Sequence, residues 1–213
     1  MTRLRFPEKA SSNYWRAFLY GIGISLVFFL PFIIWDNGYF LFYGDFNVQQ
    51  VPFYQMCHDA IRSGNIGWSW TTDLGANFIG SYTFYLLGSP FFWLTLPFPS
   101  EAVPYLMGPL LILKFGCASL TGFIYLKRYV RTPDYAVLGG LLYAFSGFSV
   151  YNIFFNHFHE AIIVFPLLLW SLDEYMATKQ RGVFALLVFA SCFMNYYFFV
   201  GEVVFCVMYF FLR

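Results

Sequence analysis

A set of apolar runs long enough to cross a bilayer limits this chain more than any other feature. The first, Ala17 to Trp35 (AFLYGIGISLVFFLPFIIW), holds no charged residue, and about 20 such residues in a helix span the hydrocarbon layer. Ala102 to Leu126 is a second, with Lys114 as its one charge. Further apolar runs cover Tyr135 to Ile153, Ala161 to Tyr175 and Val183 to Leu212. Only 11% of the residues are charged, against about a quarter in a soluble domain, too few to clothe a water-facing surface. The expected class is all-α and polytopic, about five or six spans, because a helix bonds its own backbone in lipid.

The same composition narrows function. A net charge of +1 leaves no electrostatic footprint for nucleic acid. Cys57, Cys117, Cys192 and Cys206 have neither paired nor C-x-x-C spacing. They read as isolated thiols, not a disulfide framework or a zinc site. The first run exceeds the apolar core of a cleaved signal peptide, and no A-x-A site follows it, so it reads as a retained signal anchor.

Loop charges set the expected orientation. Arg3, Arg5, Lys9 and Arg16 precede the first span (17–35), which places the N-terminus in the cytoplasm. Residues 36–101 carry four Asp and a single basic residue, Arg62, and are expected outside. Span two (102–126) ends at Lys127, Arg128 and Arg131; span three (135–153) leads out to NHFHE; span four (161–175) returns towards Lys179 and Arg181. The segment 81–98 is apolar but broken by Gly88, Pro90 and Pro97. A full span there would invert every later loop, so a re-entrant or interfacial piece is expected. Residues 183–212 form either one tilted helix or two spans turning near MNYYFFVGE, and Arg213 favours two. Ending on an apolar run, the chain reads as the N-terminal part of a larger protein.

The external loop is more than a linker. After Pro52, apolar residues at Phe53, Tyr54, Met56, Cys57, Ala60 and Ile61 recur near helical period, up to Gly64. An amphipathic helix on the outer membrane face is predicted, followed by Trp68 and Trp70 as interface anchors. Just before it stands a lone carboxylate, Asp45, in FYGDFNVQQ.

The order of GDFNVQQVPFYQ, W…DLGANF, LYAFSGF and NHFHEAIIVFPLLLW resembles the bacterial membrane protein family YfhO. The likeness covers nearly the whole chain and the N-terminal part of a typical member. That family is similar to the GT-C glycosyltransferases, which take sugars from polyprenyl-phosphate carriers. The resemblance implies transfer of a sugar to an extracytoplasmic acceptor, such as the cell-wall polymer teichoic acid, at the bacterial cell membrane. It also implies that Asp45 is the catalytic base. A carboxylate can take the acceptor proton as the anomeric bond breaks, and direct attack inverts the sugar with one such group. Without the resemblance, a loop Asp is a solvated side chain or a helix cap.

Other polar residues carry paired readings. Lys114 lies roughly 20 Å from Lys127 by helical rise, inside the membrane. It either snorkels to the outer interface or partners the lipid phosphate or Asp45. Gln49, Gln50 and Tyr54 on the loop helix, with Asn156 and Glu160, are the expected substrate contacts. His157 and His159 could hold a divalent metal, though two histidines without a patterned third ligand are also ordinary loop residues. Glu202 is either paired inside the bundle or near its surface. Rival functions are a lipid-linked sugar flippase or transporter, without the internal repeat such folds often show, and a non-catalytic assembly factor.

Overall fold

The computed structural model describes residues 10–213 apart from Thr71, Asp73 and Gln180; Arg3, Arg5 and Lys9 lie outside the described residues. Helix α1 (Ala10–Trp35) crosses first and passes through Pro31 without ending, as membrane helices tolerate. A π-helical turn, Phe46–Gln50, runs directly into α2 (Val51–Ser63), which has Pro52 in its first turn and stops at left-handed Gly64 (φ 77°). A short hairpin, β1 (Trp68–Ser69) with β2 (Ala76–Asn77), leads to α3 (Phe78–Tyr82) and a second π-helical turn, Thr83–Leu87. Then come α4 (Pro90–Trp93), α5 (Val103–Leu126), α6 (Pro133–Ala144), α7 (Gly147–Tyr151) and α8 (Phe158–Thr178). The last two helices are α9 (Gly182–Met194) and α10 (Tyr196–Leu212).

Among the described residues, four helical stretches are long and apolar enough to span a membrane: Ser12–Trp35, Ser100–Leu126, Pro133–Phe154 and Phe158–Thr178. With the shorter apolar α9 and α10 they make an all-α polytopic membrane protein. Residues 81–98 form no single helix: Ser89 caps α4 through its side chain and separates it from the π-helical turn. The last apolar run turns at Asn195, whose side chain accepts from the Phe198 amide and caps α10. At the turn, Phe198 meets Phe158 at the start of α8; at the far end, Tyr209 bonds Asp173 near its close. Helix α10 therefore runs parallel to α8 and packs against it, with α9 as the antiparallel link from one to the other.

Lipid tails are as apolar as leucine, so contact between membrane helices depends on close backbone approach and interhelical hydrogen bonds. Helices α1, α5 and α6 show both. A Cβ on Gly21 would lie 2.9 Å from Ser119 Cβ and 3.0 Å from Gly116 Cα. One on Gly140 would strike the Ser119 carbonyl. The Ser119 hydroxyl donates to the Ala17 carbonyl at 2.9 Å. Helix α2 is held to the segment before α5 instead: His58 and Arg62 both bond the Phe98 carbonyl, at 3.0 and 2.8 Å.

Basic residues gather at one end of the bundle. There Arg16 pairs with Asp134 (2.7 Å), Lys127 with Tyr14, and Arg128 with Glu174 (2.5 Å). The described residues among 36–99 occupy the opposite, loop end. If the basic end is cytoplasmic, a single cysteine replacing Leu74, 98% exposed, reacts with an impermeant thiol reagent on intact cells. One replacing exposed Thr132 does not. The reverse pattern overturns the orientation.

Candidate functional site

Lys114 does not snorkel. Its α5 position turns it into the bundle, where it is fully buried. There its ammonium makes three contacts, each at 2.9 Å: Glu160 Oε1, Asn156 Oδ1 and the Asn156 carbonyl. An ammonium has three protons, so its donors are all committed. The Phe91 ring lies 5.4 Å from Nζ. Glu160, on the first turn of α8 and 1% exposed, also accepts from the Ser89 hydroxyl; its Oε2 has no partner among the described residues.

The loop supplies the next layer. Asn156 Nδ2 donates to the Tyr54 hydroxyl at 3.3 Å, joining α2 to the turn before α8. His157 Nδ1 meets Gln50 Oε1 at 3.2 Å, and Gln50 Nε2 reaches Gln49 at 3.5 Å. Phe84 and Tyr85 set their rings 4.8 and 5.1 Å from the His157 ring. Both π-helical turns therefore converge on one histidine, and π turns are frequent at functional sites. The Asn195 amide donates to the His157 carbonyl at 3.3 Å, closing the cluster from the α9–α10 turn.

Of the residues singled out from sequence, Lys114, Glu160, Asn156, Tyr54, Gln50 and His157 meet in this cluster, with Gln49 at its edge. Lys114 has Glu160 as its ionic partner, not Asp45. Asp45 stands at the start of the first π-helical turn, half-buried and without a side-chain capping bond. It lies about one turn before Gln50. His159 is buried against Phe115 (5.2 Å between rings). Among the described residues no three His, Cys, Asp or Glu side chains come together as a metal site, so His157 and His159 acquire no third ligand. Ser89 and Asn195 joined the cluster without being foreseen. The available signals were a Ser-Pro step inside an apolar run and an Asn interrupting another.

Burial sets the protonation of the loop residues. It holds the Tyr54 phenol above its usual range, with the Glu160 charge adding to the effect, so Tyr54 remains a neutral donor. Burial, reinforced by the Lys114 charge, pushes the His157 imidazole down to about 3. An unfolded histidine takes its proton near 6.5. Between those values the unfolded chain binds more protons, so stability falls as pH falls through that window, by at most about 1.4 kcal/mol per unit. Thermal melting of the detergent-solubilised protein should drop from pH 7 to pH 5, and less steeply in His157→Gln. Parallel curves would contradict this account.

A carboxylate–ammonium pair buried inside an apolar bundle, ringed by hydrogen-bonding side chains from the loop, is costly to build, and this makes the cluster the candidate site. The family model described as bacterial membrane protein YfhO matches residues 17–213. No curated protein and no solved structure matches the chain. Since that match covers residues 17–213, well over half of the chain and all of the cluster, the chain belongs to the YfhO family of bacterial membrane proteins.

Proposed function

We propose that this protein is a GT-C-type glycosyltransferase that moves a sugar from a polyprenyl-phosphate carrier to an extracytoplasmic glycan, such as a cell-wall polymer. The observation that carries the reading is the Lys114–Glu160 pair, bonded directly by Asn156 and Ser89, beside a polar layer in which Tyr54 bonds Asn156 and Gln50 and Asn195 bond His157, at the same end of the bundle as Asp45. A lipid-linked sugar keeps its chain in hydrocarbon and its headgroup at this depth. Asp45 takes the proton of the acceptor hydroxyl as its oxygen bonds to the anomeric carbon. The bond from that carbon to the phosphate oxygen breaks, and the phosphate leaves with the electron pair.

The departing charge needs a cation or donated hydrogen bonds, and among the described residues Lys114 is the one Lys or Arg that is fully buried. Two of its three bonds go to neutral Asn156. Phosphate oxygens can replace those without leaving a charged partner unpaired, whereas displacing Glu160 would strand a carboxylate. In this reading Gln49, Gln50 and Tyr54 bond sugar hydroxyls.

The test is the full chain in proteoliposomes with defined polyprenyl-phosphate sugars and an acceptor glycan. The expected result is transfer with inversion at the anomeric carbon. Movement of the lipid-linked sugar across the bilayer without transfer supports the flippase reading and overturns this one.

A further inference from the structure

Three carboxylates are buried within the described bundle, and two are matched by basic side chains. Glu160 has Lys114, and Asp173 has Arg128 and Arg213. Glu202, on α10 and 7% exposed, forms no ion pair among the described residues. The Ser191 hydroxyl of α9 donates to it. A carboxyl group at this depth needs a cation or a proton.

Glu202 stands in the wall of a cavity of about 440 Å³ between α6, α7, α8 and α10, within the size range of sites for drug-sized molecules. Five rings share that wall: Tyr143, Phe148, Phe165, Phe198 and Phe205. Phe148 and Phe205 are themselves exposed, so the groove opens on the flank of the bundle. The Tyr143 hydroxyl is already bonded to the Ile162 carbonyl at 2.6 Å. Helix α8 keeps this space apart from the Lys114 cluster, turning Glu160 towards α5 and Ala161 and Phe165 towards the groove.

An aromatic face attracts a cation through its quadrupole, more strongly once water is gone. Here five such rings and an unmatched carboxyl border one apolar space. A hydrated metal ion does not suit it, because one carboxyl with the hydroxyls of Ser146, Ser149 and Tyr143 in an otherwise apolar lining cannot replace a shell of about six oxygen ligands. We propose that this groove binds a lipid-soluble organic cation, an ammonium-type charge on an apolar body, entering from the bilayer. The charge sits against Glu202 and the apolar part against the rings.

Tetraphenylphosphonium is the probe, a permanent single positive charge within an apolar shell. Equilibrium dialysis with the purified full chain should show saturable binding of about one ion per chain. Glu202→Gln should weaken it at least roughly tenfold, since removing one partner of a desolvated pair is costly. Gly201→Leu provides a second arm. Gly201 lines the groove, and a Cβ there meets nothing within 4 Å, so the longer side chain fills the space without moving the helix. It should abolish binding with thermal stability unchanged. Tetraphenylborate, of the same shape and opposite charge, should not compete. Non-saturable uptake, undiminished binding in Glu202→Gln or in folded Gly201→Leu, or displacement by tetraphenylborate overturns the proposal, leaving Glu202 as a protonated partner of Ser191.

Discussion

Lys114→Met should lower the free energy of unfolding by about 3–5 kcal/mol, the usual cost of removing one member of a buried ion pair. Methionine fills nearly the same volume, so little of the loss comes from a cavity. The loss comes from Glu160, which is 1% exposed and keeps only the Ser89 hydroxyl as a partner. Asn156 loses the donor that both of its oxygens share. Adding Glu160→Met to the first substitution should return most of the stability, because an apolar pair of similar volume often matches or exceeds a buried ion pair. Denaturant titration of the three variants in detergent measures both effects. If the single variant loses less than about 1 kcal/mol, water reaches the pair and the burial argument fails.

Asp45→Asn should reduce sugar transfer by roughly a hundredfold or more, the range for loss of a general base. The amide has the size of the carboxylate but cannot hold the acceptor proton. Binding of the lipid-linked donor should change far less, since the proposed phosphate contacts lie on Lys114. The fold should also survive, because the Asp45 side chain caps no helix. Single-turnover kinetics beside a binding measurement separate the two quantities. A folded Asp45→Asn protein that transfers sugar at the parent rate removes Asp45 from the mechanism.

The long helices are legible in the sequence because lipid imposes one simple demand, an unbroken apolar run, and α1, α5 and α8 satisfy it without help from distant residues. The interruption at Gly88 to Pro90 is legible for a related reason: glycine and proline disturb a helix wherever they stand. The turn at Asn195 is only weakly legible in the sequence, where Arg213 alone favours it. Asn-Tyr-Tyr suits an interfacial belt as well as a capped break, and only the neighbouring α8 shows which is built. The π-helical turns leave no sequence signal, since one extra residue per turn changes no composition.

At the site, the sequence marks Lys114 as an oddity but cannot name its partner. Glu160 looked like a loop residue beside two histidines, and Ser89 like part of an apolar stretch. The bond from Asn156 to Tyr54 joins residues 102 positions apart. Pairings of that kind are set by how helices pack, which no local pattern records. Asp45 is the converse case: the resemblance singles it out, while its local geometry would draw no notice.

The ion pair also has a history within each molecule. Lys114 leaves the ribosome well before Glu160, and helices enter the bilayer in order of synthesis. Helix α5 must therefore be threaded into the membrane while its ammonium has no counter-charge, against a penalty of about 2.5–3.5 kcal/mol for a basic residue at mid-membrane. The leucines, isoleucine and phenylalanines around it supply the opposing term. The tight seam of α5 with α1, through Gly21 and Ser119, is available from the outset to hold the newcomer until α8 arrives. Biogenesis thus contains an interval in which the future site is an open half, and an α8 that is late or missing leaves a cationic helix exposed to the quality-control proteases of the membrane.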